Sequence, residues 1–369
     1  MRYKQPVKQI LIATRSSWDR PETRLAARQN FDKVTKCGTL ALGAEVFASE
    51  TEEKLVPHTC KVRPCPSCGH RATIQWQREQ WRALPDIPYV GIVFTMPGVL
   101  WPIFQQNRHL LHDLPNLGAA VIQLWAKLKY GVRVPIMVIP HTFGGRLNFN
   151  SHLHILVSAG GLQESEGRWI SSLVFDEGKD KGKLTRMWRF AVITYLRAPL
   201  EAKVLTSDLS PGTLITRLKK QYERWWSIDI DNFASKEHFL RYAGRYVRRP
   251  PIAQYRFVKI TGREVRFWTK DKIQKRRVNI SCTPDEFVAT LAEHVPDRYR
   301  HAIRYFGLLA PRSKARTSAA VFAVLGQQKQ PSPRRLSWAF SMRRDFGVDP
   351  LIDRRGQPMR WVGRLKPRV

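Results

Sequence analysis

Ser151-His152-Leu153-His154-Ile155-Leu156-Val157 sets two histidines one residue apart inside a leucine- and β-branched run, the composition of a strand. Side chains of a strand alternate between faces, so His152 and His154 share one face while Leu153, Ile155 and Val157 point to the other. Two imidazoles on one face are a ready chelate for a divalent cation. The bland alternative is a pair of polar residues on the solvent side of an edge strand. Upstream, His141 ends another strand-like run, Ile136 to His141, and Gly144-Gly145 turns the chain between the two. Antiparallel pairing would bring His141 to the pair as a third ligand and keep positions open for a phosphate oxygen and water. Imidazoles alone suit Zn²⁺ or Mn²⁺, and the work expected of the ion is Lewis-acid polarisation of a phosphate.

Downstream, Glu237-His238-Phe239-Leu240-Arg241-Tyr242-Ala243-Gly244-Arg245-Tyr246 reads as a helix with Ser235 as its N-cap and Pro250-Pro251 as its stop. Tyr242 and Tyr246 are four apart and share a face. A free tyrosine is a poor nucleophile, so it needs a metal or nearby cations to stabilise its phenolate. Arg241, Arg245, Arg248 and Arg249 surround the pair and are the expected DNA-binding residues. Gly244 costs helix propensity and is expected to serve a close approach of backbone or DNA. The alternative is that both tyrosines simply pack with their hydroxyls at the surface.

The chain around these motifs has 369 residues and a net charge of +33, from 63 basic and 30 acidic residues spread along its length. Such a field favours polyanions, nucleic acid above all, and affinity carried by it falls steeply with salt. Aromatic side chains are expected to add a preference for single strands by base stacking. The sequence holds no apolar run of about 18 residues, so no membrane association is expected. Met1 to Trp18 lacks the hydrophobic stretch of a signal peptide. The expected location is the cytoplasm, in association with the nucleoid.

Tyr89 to Thr95 reads as a buried strand. Leu114, Leu117, Val121, Trp125 and Leu128 form a helical stripe ended by Gly131. Asp176 to Lys183 reads as a Gly/charge loop, with another helix suggested by Leu214, Leu218, Tyr222 and Trp225. Arg256–Ile260 and Glu264–Trp268 form a hairpin, and Thr283-Pro284-Asp285-Glu286 is a capping box. Helices interleaved irregularly with strands are α+β, not a doubly wound sheet. Residues 1–84 form a small cysteine-bearing region, 85–310 the main domain, and 311–369 a basic, weakly structured extension.

Cys60-Lys61-Val62-Arg63-Pro64-Cys65-Pro66-Ser67-Cys68 gives C-x4-C-x2-C, a spacing that suits zinc thiolate ligation by Cys60, Cys65 and Cys68 on a tight knuckle. A fourth ligand would come from Cys37, His58 or His70, and a reduced cluster without metal is the alternative. Cys282 sits in a strand-like run and reads as a core thiol.

The ordered set Val93-Phe94-Thr95-Met96-Pro97, Pro140-His141-Thr142-Phe143-Gly144, His152-Leu153-His154 with Gly160-Gly161-Leu162, Tyr242-Ala243-Gly244-Arg245-Tyr246 with Arg249-Pro250-Pro251-Ile252, and Tyr305-Phe306-Gly307-Leu308-Leu309-Ala310 resembles rolling-circle transposases of the insertion-sequence-91 type, two-tyrosine members of the HUH endonuclease superfamily. The resemblance implies an HUH-like antiparallel sheet with helices, preceded by a zinc-knuckle-like region. It further implies a metal-dependent transesterase acting on single-stranded DNA at transposon ends. Magnesium or manganese would sit at the histidines and zinc at the cysteines, and one tyrosine would form a 5′-phosphotyrosine link while the second permits a further cleavage. The rivals are a rolling-circle replication initiator or relaxase, and a non-catalytic basic DNA-binding protein. Where relatives usually carry a further C-x-x-C, this chain reads Ala48-Ser49-Glu50-Thr51-Glu52. Ile352-Asp353-Arg354-Arg355-Gly356 likewise stands where they often carry another Cys pair.

Overall fold

The computed structural model describes residues 4–176, 178–247, 249–271, 274–312 and 314–367. Its histidine-bearing run is the middle strand of a five-stranded antiparallel sheet. In chain order the strands are β1 (Tyr89–Phe94), β2 (Pro135–Phe143), β3 (Phe149–Ser158), β4 (Ile228–Phe233) and β5 (Arg304–Gly307), arranged β5-β2-β3-β1-β4. This is the expected α+β architecture, with short returns between some neighbours and helical crossovers between others.

The two faces of β3 separate as alternation requires. Leu153, Ile155 and Val157 join Ile92, Phe94 and Val138 in a core closed by the helices Leu114–Tyr130 and Lys179–Glu201, which contribute Trp125 and Trp188. Each such side chain removed from water contributes about 2 kcal/mol. A one-residue slip of β3 would forfeit that burial and push both histidines into the core, so the register is firmly set. On the opposite face Met137, Ile139 and Leu156 lie under the helices Gly69–Ala83 and Lys236–Val247. That second layer reaches the histidines at its Tyr246 end, where they line a cleft.

Three expectations fail here. The stretch Asp176 to Lys183 is not a loop throughout, since the long helix Lys179–Glu201 begins inside it. Two of its carboxylates are engaged by neighbours. Asp176 accepts from the backbone of Gly178 and Lys179, and buried Asp180 accepts from Trp125 Nε1 at 3.0 Å and Lys129 Nζ at 2.7 Å. The region after Pro311 is also more ordered than its composition suggests. It holds the helices Lys314–Val324 and Trp338–Phe346 and the strand Arg360–Leu365. The helix expected through Trp225 is shorter, Pro211–Lys219 with a 3₁₀ turn to Glu223, and Trp225 is exposed.

The strand Arg360–Leu365 pairs with Ala44–Ala48, which pairs in turn with Glu53–Pro57. A third sheet, Phe257–Ile260, Val265–Lys270 and Arg277–Cys282, contains the expected hairpin. Its Phe257 and Phe267 pack with Phe287 of the capped helix Pro284–Glu293, and with Val7, Ile10 and Phe31 of the amino-terminal helices. Cys282 contacts this cluster and donates Sγ–H to the Val265 carbonyl. Among the described residues no helix is long and apolar enough to cross a membrane.

His294, at the C-terminus of the capped helix, ties this layer to the cleft. It is buried and donates Nε2–H to the Leu147 carbonyl at 2.7 Å, and burial pushes its pKa down to about 4. A histidine depressed on folding favours the native state above its unfolded value near 6.5, and that contribution is lost as pH falls through about 4. Over this window the group is expected to remove about 3 kcal/mol of stability. Urea titrations at stepped pH should find that component missing in His294→Gln. Identical acid limbs in variant and parent would acquit His294.

Candidate active site

Antiparallel pairing of β2 and β3 sets His141 directly opposite His152, and Ile139 opposite His154. Candidate ligand nitrogens of the three histidines all lie within 4.8 Å of one another. His141 donates Nε2–H to the Tyr246 carbonyl at 2.9 Å, and His152 donates Nδ1–H to the Asn150 carbonyl at 2.8 Å. A carbonyl only accepts, so these bonds fix the protons and leave His141 Nδ1 and His152 Nε2 with lone pairs. Burial, followed by the charge of Arg63, holds His141 well below the ordinary histidine range. It is therefore neutral at pH 7, the form a metal requires. The oriented lone pairs of His141 and His152, with the His154 ring beside them, fit a divalent cation.

The helix Lys236–Val247 lays both tyrosines over this face. Ser235 caps it as expected, accepting from the His238 amide at 3.3 Å. The Tyr246 ring stacks on His154, with centroids 3.8 Å apart and planes 26° from parallel. Tyr242 follows one turn away, its ring centroid 5.0 Å from that of Tyr246. The two differ in setting. Tyr246 is half-buried at the cleft, whereas Tyr242 is buried against β1 above Gly91, where a Cβ would come within 2.9 Å of its ring. Burial, then Tyr246 and Asp231, raise the Tyr242 hydroxyl above the usual tyrosine pKa.

Gly244 serves a close approach of protein rather than DNA. A Cβ there would meet Gln77 of the helix Gly69–Ala83, and Gln77 donates to the Leu240 carbonyl at 2.8 Å. The tyrosine helix is thus packed against the helix that follows the cysteines.

The four arginines divide. Arg249 lines the cleft, and the Arg245 guanidinium lies 5.2 Å from the Tyr242 ring centroid. Arg241 is turned to the flank and ion-paired with Glu237 at 2.6 Å. Arg248 lies outside the described residues. The sequence reading missed Asp229 and Asp231, which line the same cleft of about 900 Å³. Their registers, Asp229 with Val93 and Asp231 with Gly91, put them on the histidine face. The signal was present in Ile228-Asp229-Ile230-Asp231, a period-two alternation with acids on one side.

The cysteines close into a second centre. Cys37 joins Cys60, Cys65 and Cys68, with sulfur separations of 3.5 Å to Cys68 and 3.8 Å to Cys65, and 3.6 Å between Cys60 and Cys68. A zinc–sulfur tetrahedron with bonds of about 2.3 Å has edges of about 3.8 Å, so the sulfurs already stand at thiolate-cage spacing. The other candidates for fourth ligand are engaged elsewhere, His58 with Glu45 at 3.0 Å and His70 with Asp345 at 3.2 Å. Between Cys60 and Cys65, Arg63 reaches the carbonyl of Pro140, next to His141. The two cysteine-poor stretches also meet. Asp353 accepts from Ser49 at 2.6 Å and Thr51 at 3.0 Å, so hydrogen bonds join those loops.

A family model described as "Transposase zinc-binding domain" matches residues 11–96, and one described as "Putative transposase" matches residues 136–317. The chain is 32% identical over 332 residues to "Transposase for insertion sequence element IS801" of Pseudomonas savastanoi pv. phaseolicola, covering 86% of this chain and 78% of that relative. It is 28% identical over 334 residues to "Putative transposase y4qJ" of Sinorhizobium fredii (strain NBRC 101917 / NGR234), covering 84% and 80%. No solved structure matches the chain.

Proposed function

The chain belongs to the insertion-sequence-91 family of transposases, and from that premise we propose that it cuts and rejoins single-stranded DNA at transposon ends through a 5′-phosphotyrosine intermediate. The observation that carries this reading is the Tyr246 ring stacked on His154 within a three-histidine cluster. His141, His152 and His154 would hold a divalent cation, magnesium or manganese, which when bound supplies Lewis-acid polarisation of the scissile phosphate. The tyrosine oxygen bonds to phosphorus as the bond to the 3′-oxygen breaks. The phenolic proton is lost to solvent and the leaving oxygen takes one up, giving a free 3′-hydroxyl.

Tyr246 suits the first attack because it is half-exposed over the histidines in the cleft that Arg249 also lines. Tyr242 is held protonated in reserve, with Asp231 beside it to accept its proton when a second strand arrives. Residues 1–84 would supply a zinc-stabilised region, 85–310 the nuclease and 311–369 a basic extension.

Incubating the protein with end-labelled single-stranded element termini, with and without magnesium or manganese, tests this. A covalent adduct should form only with the metal, and His152→Ala/His154→Ala should form at least about a hundredfold less while keeping most DNA affinity, because contacts elsewhere carry binding. An adduct of normal yield in the double variant would sink the histidine-metal assignment. Non-covalent binding alone by the parent would leave only a DNA-binding protein.

A further inference from the structure

The wall of the cleft facing the tyrosine helix is unlike the rest of the site. It is built from the turn before Phe257–Ile260, from the end of the strand Val265–Lys270 and from Lys275 beyond it, and it brings Tyr255, Trp268, Lys270 and Lys275 into the cleft that holds the histidines and tyrosines. Tyr255 is 64% exposed. It lies 5.7 Å from Trp268, centroid to centroid. The Arg277 guanidinium covers Trp268 at 4.2 Å, and Lys270, Lys275 and Arg277 are all exposed.

The placement is rigid. Alternation along Val265–Lys270 sends Val265, Phe267 and Thr269 inward and leaves Trp268 and Lys270 outward. Trp268 donates Nε1–H to the Tyr255 carbonyl at 3.3 Å, and buried Arg256 donates to the Trp268 and Gly145 carbonyls. Arg256 thus fastens this wall to the glycine turn between β2 and β3, the strands that carry the histidines.

We propose that Tyr255 and Trp268 form a stacking platform for unpaired bases of the DNA strand entering the cleft, with Lys270, Lys275 and Arg277 holding its phosphates. Exposed rings interleaved with cations fit a strand whose bases are free to stack, whereas a duplex keeps its base faces stacked on one another and offers none to an aromatic ring. The platform and the nucleophiles share one cleft, so bases held here would fix which phosphodiester reaches Tyr246. The proposal rests on reading that cleft as a single-strand site.

The test uses the full chain with Tyr242→Phe/Tyr246→Phe, so that no covalent product distorts binding, and fluorescence anisotropy with a thymidine homopolymer and a duplex of equal length. Trp268→Leu and Tyr255→Ala should each weaken single-strand binding by roughly tenfold, leave duplex binding unchanged and leave the salt dependence as it was. Trp268→Phe should restore most of the loss. Lys270→Gln/Lys275→Gln should instead flatten the salt dependence by about two phosphate contacts. Undiminished single-strand affinity in Trp268→Leu and Tyr255→Ala, beside a parent that still forms the covalent adduct, overturns the platform and spares the proposed function. Equal losses on single strand and duplex also overturn it. A parent that prefers duplex and forms no adduct removes both.

Discussion

Tyr246→Phe is expected to lose the first cleavage of single-stranded DNA by at least about a thousandfold, since the proposed nucleophile would be gone and only binding and positioning contributions would survive. Phenylalanine keeps the ring that stacks on His154, so stability should be preserved. Tyr242→Phe should nick at close to the parent rate and fail at strand transfer, because Tyr242 is buried beside Asp231 whereas Tyr246 is half-exposed. Single-turnover assays that separate nicking from joining, with peptide mapping of the adduct, distinguish the two. Normal nicking by Tyr246→Phe together with failed nicking by Tyr242→Phe would reverse the assignment. Adduct formation by the double variant would end the two-tyrosine mechanism.

The second large effect concerns the cysteines. Cys37→Ser should be as damaging as Cys65→Ser or Cys68→Ser, because each removes one corner of the same thiolate cage. A structural zinc of this kind contributes about 10 kcal/mol to the fold that encloses it. Such a loss exceeds the whole stability of many domains, which is about 5–15 kcal/mol. Native mass spectrometry should find one zinc per parent chain and none in the Cys37→Ser variant, which should also melt early. Cleavage should fail along with folding, since the knuckle carries Arg63 to the carbonyl beside His141. A Cys37→Ser protein that keeps its zinc and its melting temperature would return the fourth position to another donor.

The histidine strand and the tyrosine helix were legible because each obeys a short periodicity with a clean inside and outside. His152 and His154 alternate with Leu153 and Ile155, and Tyr242 and Tyr246 recur at one helical turn. His141 was legible only through a pairing assumption, which the register of β2 with β3 satisfies. Cys37 stood among three candidates because long-range closure leaves no local trace. Asp229 and Asp231 escaped although their alternation was readable, since two acids in a strongly basic chain look like solvated charge until β4 is seen beside β1. The helix Lys179–Glu201 was masked by charges and glycine at its start, whose partners Trp125 and Lys129 lie far off in sequence.

The pairing of Arg360–Leu365 with Ala44–Ala48 also has a consequence in time. Arg364 meets Glu45 across 319 positions of chain, so the sheet begun by Ala44–Ala48 and Glu53–Pro57 cannot acquire its third strand until that intervening chain has been made. At about 5–20 residues per second that interval is roughly 15 to 60 s. Throughout it Ala44–Ala48 offers an unpaired edge to any extended segment nearby, while the central five-stranded sheet already has every strand it needs by Gly307. Order of completion thus differs from chain order: the sheet begun earlier is closed after the one begun later, and a chain broken off between Gly307 and Arg360 would have its five-stranded sheet whole and the sheet of Ala44–Ala48 left open.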